Sequence, residues 1–182
     1  YTTAVTLGAD PEETLVAMST LRPAPGRLEN MRGPKDISVI IDYAHTPDAL
    51  ENVLKTLKEI APDRPLICLF GCGGDRDKTK RPEMGAIAQK YSDRIIVTSD
   101  NSRSEKTSDI MADIKSGMDL SGRAKSLFIE DREEAIRTAV MLAGQGTTVL
   151  LAGKGHETYQ IIGDEKRHFD EKEIVEDIFK TL

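Results

Sequence analysis

Ser38-Val39-Ile40-Ile41-Asp42-Tyr43-Ala44-His45-Thr46-Pro47-Asp48-Ala49-Leu50 carries the decision about fold. Its opening run, residues 38–41, is short and apolar enough to be a buried strand. A polar turn follows, in which Thr46 can cap the next helix. From Leu50 the spacing changes: Leu50, Val53, Leu54, Leu57 and Ile60 share one helical stripe. The same order of strand, turn and helix recurs down the chain. Apolar runs at 66–70, 94–98, 126–129 and 147–152 alternate with further helical stripes. One stripe runs through Met84, Ile87, Ala88 and Tyr91, and another through Ile110, Met111 and Ile114. A third joins Ala135, Ile136, Ala139 and Val140. Strand and helix in alternation imply an α/β fold, with a mostly parallel, Rossmann-like sheet flanked by helices on both faces.

Both ends depart from that rhythm. Asp10-Pro11-Glu12-Glu13 reads as a helix start, with Asp10 as N-cap, Pro11 at the first helical position and Glu13 at the capping-box site. The helix should run through Leu15, Val16 and Met18 to Leu21, where Arg22-Pro23-Ala24-Pro25-Gly26 breaks it. A domain boundary is expected there, separating 1–24 from 25–182. Near the other end, Tyr159-Gln160-Ile161-Ile162 and Arg167-His168-Phe169 flank Gly163-Asp164, the pattern of a short hairpin. Asp170 then caps a final amphipathic helix through Ile174, Ile178 and Phe179.

A chain of 182 residues, 38% hydrophobic and 31% charged, suits one soluble globular domain with an appended piece. A net charge of −6 argues against a nucleic-acid partner. No apolar run is long enough to span a membrane and no signal peptide opens the chain, so no membrane partner is expected. Cys68 and Cys72 share one strand-to-loop stretch, which is awkward for a disulfide and too few thiols for a zinc site. Reduced thiols in the cytoplasm are expected. The chain opens on Tyr1 rather than methionine, which raises the expectation of a longer protein.

Four loops follow strands, at the sheet edge where open α/β folds bind ligands. In the first, Asp42 can accept from ribose hydroxyls, or it can simply organise the turn with Thr46. The second is Gly71-Cys72-Gly73-Gly74-Asp75-Arg76-Asp77-Lys78-Thr79-Lys80-Arg81-Pro82. Its glycines let backbone amides approach an anion, but Arg76 replaces the last glycine of a dinucleotide fingerprint. Lys78-Thr79 also lacks the glycine of a phosphate loop, and alone the segment reads as a solvated turn. The third, Asp100-Asn101-Ser102-Arg103, sets an anion, an amide and a guanidinium fork side by side. A ligand carrying both charges, such as an amino acid, can use all of it, while Ser104 and Thr107 can cap the helix that follows. The fourth, Gly153-Lys154-Gly155-His156-Glu157, offers acid–base groups on a flexible turn; His156 reads as structural and Glu157 is open. His168 reads as structural too. No Ser-His-Asp or Cys-His nucleophile and no metal cluster is evident, so no catalytic residue and no metal ligand is assigned.

Taken in order, Gly26-Arg27-Leu28-Glu29 and these four loops resemble the C-terminal domain of a Mur ligase, and the resemblance covers nearly the whole chain. It implies an ATP-dependent ligase of peptidoglycan synthesis. ATP activates a substrate carboxylate as an acyl phosphate, which the amine of an incoming amino acid attacks. It implies that residues 1–24 are the tail of the central ATPase domain and 25–182 the amino-acid-binding domain. The phosphate loop, the Mg2+ ligands and the carbamylated lysine would lie in that central domain, so this fragment alone is expected to be inactive. For ATP the resemblance implies Arg27 on the phosphates, Asp42 on the ribose and His45 near the nucleotide. It implies an amino-acid pocket of Arg76, Asp100, Asn101, Arg103, Gly153 and Glu157.

Family members that take meso-diaminopimelate carry Asp-Asn-Pro-Arg at the third loop, and lysine users lack the arginine. Arg103 therefore implies meso-diaminopimelate, added to UDP-MurNAc-L-Ala-D-Glu, because a guanidinium fork can hold the second carboxylate. Asp100 and Glu157 would answer the distal ammonium. Ser102 departs from the family proline, which removes a constraint on the loop backbone. L-lysine is the alternative substrate, and a stand-alone Rossmann-like binding module without ligase activity is the alternative class.

Overall fold

A computed structural model describes residues 1–21 and 24–182; the expected helix break at Arg22 and Pro23 lies outside the described residues. A six-stranded sheet runs in the order β1 (Glu29–Arg32), β2 (Ser38–Asp42), β6 (Thr148–Ala152), β3 (Leu66–Phe70), β4 (Arg94–Val97) and β5 (Ser126–Phe128). Every pairing is parallel except β1 against β2. The α/β expectation holds, and the expected strands match to within a residue at each end. β1 was not legible. Glu29-Asn30-Met31-Arg32 has one apolar side chain, Met31, which packs on the core, and the strand is otherwise held by pairing along the β2 edge.

Strand alternation decides which helices cover which face. Ile40, Cys68, Phe70, Ile95, Val97 and Leu150 point to one side, where α3 (Pro47–Ile60), α4 (Lys80–Tyr91) and α5 (Thr107–Ser116) supply Leu50, Leu54, Met84, Ala88, Ile110 and Ile114. Val39, Ile41, Ile67, Leu69, Ile96, Val149 and Leu151 point to the other. There they meet α7 (Arg132–Leu142) and α8 (Glu171–Thr181) through Ala135, Ile136, Ala139, Val175 and Ile178. Each fully buried side chain of this size contributes about 1.5–3 kcal/mol, so the two-sided core is what fixes the strand register. A short α6 (Leu120–Ala124), capped by Asp119, leads into the β5 edge.

The caps behave as the sequence indicates in three helices. Thr46 accepts from Ala49 N in α3, Asp10 from Glu12 N and Glu13 N, and Asp170 from Lys172 N and Glu173 N. Ser104 and Thr107 do not cap α5, whose N-cap is Lys106. Ser104 is drawn away instead, with its hydroxyl on Asp75. The hairpin β7 (Tyr159–Ile162) and β8 (Glu165–His168) forms as expected, apart from the main sheet. The N-terminal helices α1 (Thr2–Thr6) and α2 (Pro11–Ser19) contain no buried residue. Leu7, Leu15, Val16 and Leu21 stay exposed there, so this segment adds nothing to the core.

The pairing register brings the ends of the central strands level. Asp42, Ala152 and Phe70 lie side by side, with Val97 opposite Phe70. The next residue of each strand begins one of the four loops, so all four open onto one edge of the sheet.

Candidate functional site

The loop after β2 is organised by Asp42, which is 5% exposed. One carboxylate oxygen accepts from Ala44 N at 2.8 Å and the other from Leu28 N at 2.8 Å. The side chain therefore ties Gly26-Arg27-Leu28-Glu29 to the strand end, the turn-organising role, and each oxygen keeps a second lone pair. Gly26, at φ +68°, lies so near Gly155 and His156 that a Cβ would meet their backbone at 2.2 Å. Arg27 is thereby held beside the sheet edge, its guanidinium 4.9 Å from the Tyr43 ring centroid. Tyr43 also meets the rings of His45 at 4.7 Å and His156 at 5.3 Å. His156, read from sequence as structural, takes part in this aromatic group.

The loops after β3 and β4 are interlocked. Gly74 N donates to Asn101 O at 2.9 Å, and Arg103 Nη1 donates to Gly74 O at 2.8 Å and Asn101 O at 3.2 Å. A Cβ on Gly74 would sit 1.9 Å from Ser102 O, so only glycine permits this approach. Below them, fully buried Arg81 binds Glu105, Asp113 and the Gly73 carbonyl. Glu105 also takes Lys78 and Asp75 N, and these three donors hold its carboxyl well below the usual carboxylate range. The second loop thus differs from the solvated turn it resembles in isolation. Its outer residues 75–79 are exposed, but Lys78, Arg81 and the Asp75 amide bind Glu105 of the loop after β4, up to 30 residues away in sequence, a contact no local pattern reveals.

Asp100, Asn101 and Ser102 are 7%, 5% and 1% exposed. Asn101 is fixed at both ends of its amide. Its Nδ2 donates to Glu157 Oε2 at 3.0 Å, and its Oδ1 accepts from Ile161 N at 2.9 Å and from Lys154 Nζ at 3.3 Å. Gly153, at φ +116°, brings the β6 loop close enough that a Cβ would lie 3.0 Å from Asp100 Oδ2. Hairpin strand β7 buttresses the far side: Arg103 N donates to Ile161 O and Gly163 N to Arg103 O. Gln160 Nε2 adds bonds to Ser99 Oγ and Asp100 O.

Together these loops enclose a cleft of about 540 Å³, on the scale of a small-molecule site. It brings together Arg76, Asp100, Asn101, Arg103, Gly153 and Glu157, with His45 at its margin. Arg27 and Asp42 do not line it; they meet it through Tyr43, which does. Tyr159, which sequence reading did not assign, also lines the cleft, as does Lys80, one of the basic residues behind the glycines of the second loop. Lys80 is the first residue of α4, and its Nζ donates to His45 O. The cleft is mixed in charge, lined by the carboxylates of Asp77, Asp100 and Glu157 and by the cations of Arg76, Lys80 and Arg103. It suits a zwitterion better than a simple anion. Among the described residues no three His, Cys, Asp or Glu side chains are grouped to hold a metal ion. Among the described residues no helix is long and apolar enough to cross a membrane.

Residues 26–155 match the family described as Mur ligase, glutamate ligase domain. The chain belongs to the Mur ligase family. Among curated Mur ligases, it is similar to the UDP-N-acetylmuramoyl-L-alanyl-D-glutamate–2,6-diaminopimelate ligase of Bacteroides thetaiotaomicron, with 50% identity over 177 residues. That match takes in 97% of this chain and 37% of the relative. The ligase of the same name from Clostridioides difficile is 54% identical over 157 residues, 86% of this chain and 32% of that protein. A solved structure of a ligase with this name superposes with a TM-score of 0.81 at 41% identity, over 98% of this chain and 36% of that one. The chain thus spans about a third of the length of these Mur ligases. A folylpolyglutamate synthase of Mycobacterium tuberculosis, solved with ADP, shares the fold at 22% identity and a TM-score of 0.62.

Proposed function

We propose that residues 25–182 are the amino-acid-delivering domain of an ATP-dependent ligase that joins meso-diaminopimelate to UDP-MurNAc-L-Ala-D-Glu. Residues 1–24 would then be the tail of that protein's central ATPase domain. Two helices that bury nothing of their own, with Leu15, Val16 and Leu21 exposed, support that division. The observation that carries the reading is the convergence of Asp100, Asn101, Arg103 and Glu157 on one cleft. Among the described residues Arg103 forms no ion pair, and its only side-chain hydrogen bonds come from Nη1 to two carbonyls. Those bonds aim the guanidinium, and Nε and Nη2 are left for a ligand carboxylate. Asp100 and Glu157 supply the counter-charge for the ammonium on the same carbon. Seating diaminopimelate's distal end this way presents its other amine to the activated carboxylate, where it attacks the acyl carbon, loses a proton and expels phosphate.

Carboxylate activation by ATP with Mg2+ belongs to the rest of the longer protein. Arg27, Tyr43 and His45 form the face that would meet the nucleotide, a cation over aromatic rings beside the Asp42 turn. Two unpaired, buried thiols, each pushed up to about 12 by burial, suit a cytoplasmic protein.

The test is Arg103→Ala in the full-length ligase. KM for meso-diaminopimelate should rise about 100-fold, the loss of one charged hydrogen-bonded pair, while KM for ATP stays within about two-fold. Wild-type enzyme should favour meso-diaminopimelate over L-lysine in a side-by-side ligation assay. A preference for lysine, or unchanged diaminopimelate kinetics in the variant, would overturn the reading.

A further inference from the structure

Lys154, left open in sequence among the acid–base groups of its loop, is a cationic side chain sealed behind the cleft. Its side chain is 0% exposed. The flanking glycines Gly153 and Gly155, both at positive φ, turn the backbone so that this side chain runs inward. Nζ then meets four acceptors and no donor: Tyr159 O at 2.8 Å, Asn101 Oδ1 at 3.3 Å, and the carboxylates of Glu157 and Asp100, each at 3.5 Å. An ammonium has only N–H groups to offer, so an all-acceptor shell fits the charged form and leaves no place for an amine lone pair.

The consequence is electrostatic as well as geometric. Asp100 and Glu157 are the two carboxylates proposed to meet the ligand's ammonium, and both share Lys154. With Lys154 charged, the trio carries one net negative charge rather than two. Lys154 also joins Ile161 N in fixing which way the Asn101 amide faces, with Oδ1 toward both donors and Nδ2 left for Glu157. Its bond to Tyr159 O closes the loop onto the hairpin that buttresses Arg103.

Resting on the proposed amino-acid site, we infer that Lys154 is a positioning residue: it holds Asp100, Asn101 and Glu157 in one arrangement and leaves a single negative charge for the substrate's ammonium. The charged groups that bear on it are Asp100 from the β4 loop, Glu157 from its own loop, Arg132 from α7 and Glu171 from α8. Burial, the largest influence, together with Arg132 holds its pKa below the ordinary lysine value, and the three carboxylates pull the other way.

The experiment compares Lys154→Met with wild type in the full-length ligase, reading KM for the amino acid, KM for ATP and kcat across pH 6 to about 8.5. Loss of the buried cation should raise amino-acid KM about 10- to 100-fold at the alkaline end and move KM for ATP by less than about two-fold. Two carboxylates stripped of the cation they share take up a proton at higher pH than they do beside it, which restores the single charge as pH falls. The variant-to-wild-type KM ratio should therefore shrink toward pH 6, a trend that mere loosening of the fold would not produce. A ratio near one, or one that is flat with pH, overturns the inference. Lys154→Gln keeps a donor for Tyr159 O without the charge and should show the same trend; wild-type kinetics in this variant would equally overturn it. If wild type ligates L-lysine instead, the substrate reading fails, and the same ratio measured with lysine still decides the role of Lys154.

Discussion

Arg81 and Arg132 are both fully buried guanidinium groups, and they stabilise the same edge of the sheet in opposite circumstances. Arg81 in α4 binds Glu105 and Asp113, whose side chains are 15% and 45% exposed. Arg132 at the start of α7 binds Glu171, whose side chain is 1% exposed. Arg132 also donates to Ser99 O and Ala152 O, the carbonyls where β4 and β6 give way to their loops. Water can reach the anions around Arg81 but not the anion of Arg132. The first cluster therefore sets loop geometry at modest energetic stake, and the second is a sealed pair whose halves depend on each other.

The largest expected effect breaks the sealed pair. Arg132→Met strands the Glu171 carboxylate in the core and unties both strand ends, so unfolding free energy should fall by about 3–5 kcal/mol in urea titration. A second change, Glu171→Met, should return much of that loss, because an apolar pair of similar volume needs no partner. A loss under about 1 kcal/mol for Arg132→Met would show that water reaches Glu171 after all, and the contrast with Arg81 would collapse.

Arg81→Met should cost less, about 1–2 kcal/mol by the same titration, since Glu105 keeps Lys78 and Asp113 turns to solvent. Its signature should lie elsewhere. The Gly73 carbonyl loses its donor, and the loop that carries Arg76 and abuts Arg103 loses its floor. A cost equal to that of Arg132→Met would erase the distinction between the two clusters.

The same contrast explains what could be read from sequence. Strands 38–41 and 66–70 and the α3 stripe announce themselves because burial on a sheet face or helix face imposes a period that a window detects. Asp100, Asn101, Arg103 and Glu157 line one cleft because loops at strand ends gather there, but the residues alone left Glu157 open and only the family resemblance grouped the four. Lys154, Arg81 and Glu105 were not legible in their roles. Each acts through a partner brought near only by the tertiary fold, and a lysine turned inward looks in sequence like any solvated lysine. β1 escaped for a related reason, since an edge strand paired on one side needs no apolar face of its own.

The smallest effect sharpens the comparison through pH. Three donors hold Glu105 below the ordinary glutamate value of 4.5, so it is ionised more readily in the folded than in the unfolded chain. Its stabilisation is fully present above that value and is lost as pH falls. Burial raises Glu171 above 4.5 despite Arg132, so its contribution has the opposite sign, fully present below 4.5 and lost as pH rises. In urea midpoints measured between about pH 7 and pH 4, Glu105→Gln should flatten the acid-side decline. Glu171→Gln should remove a decline toward neutral pH and leave the acid limb steeper by comparison. Parallel pH curves for the two variants would mean that the two carboxylates share one environment, and that burial of the anion is not what separates Arg81 from Arg132.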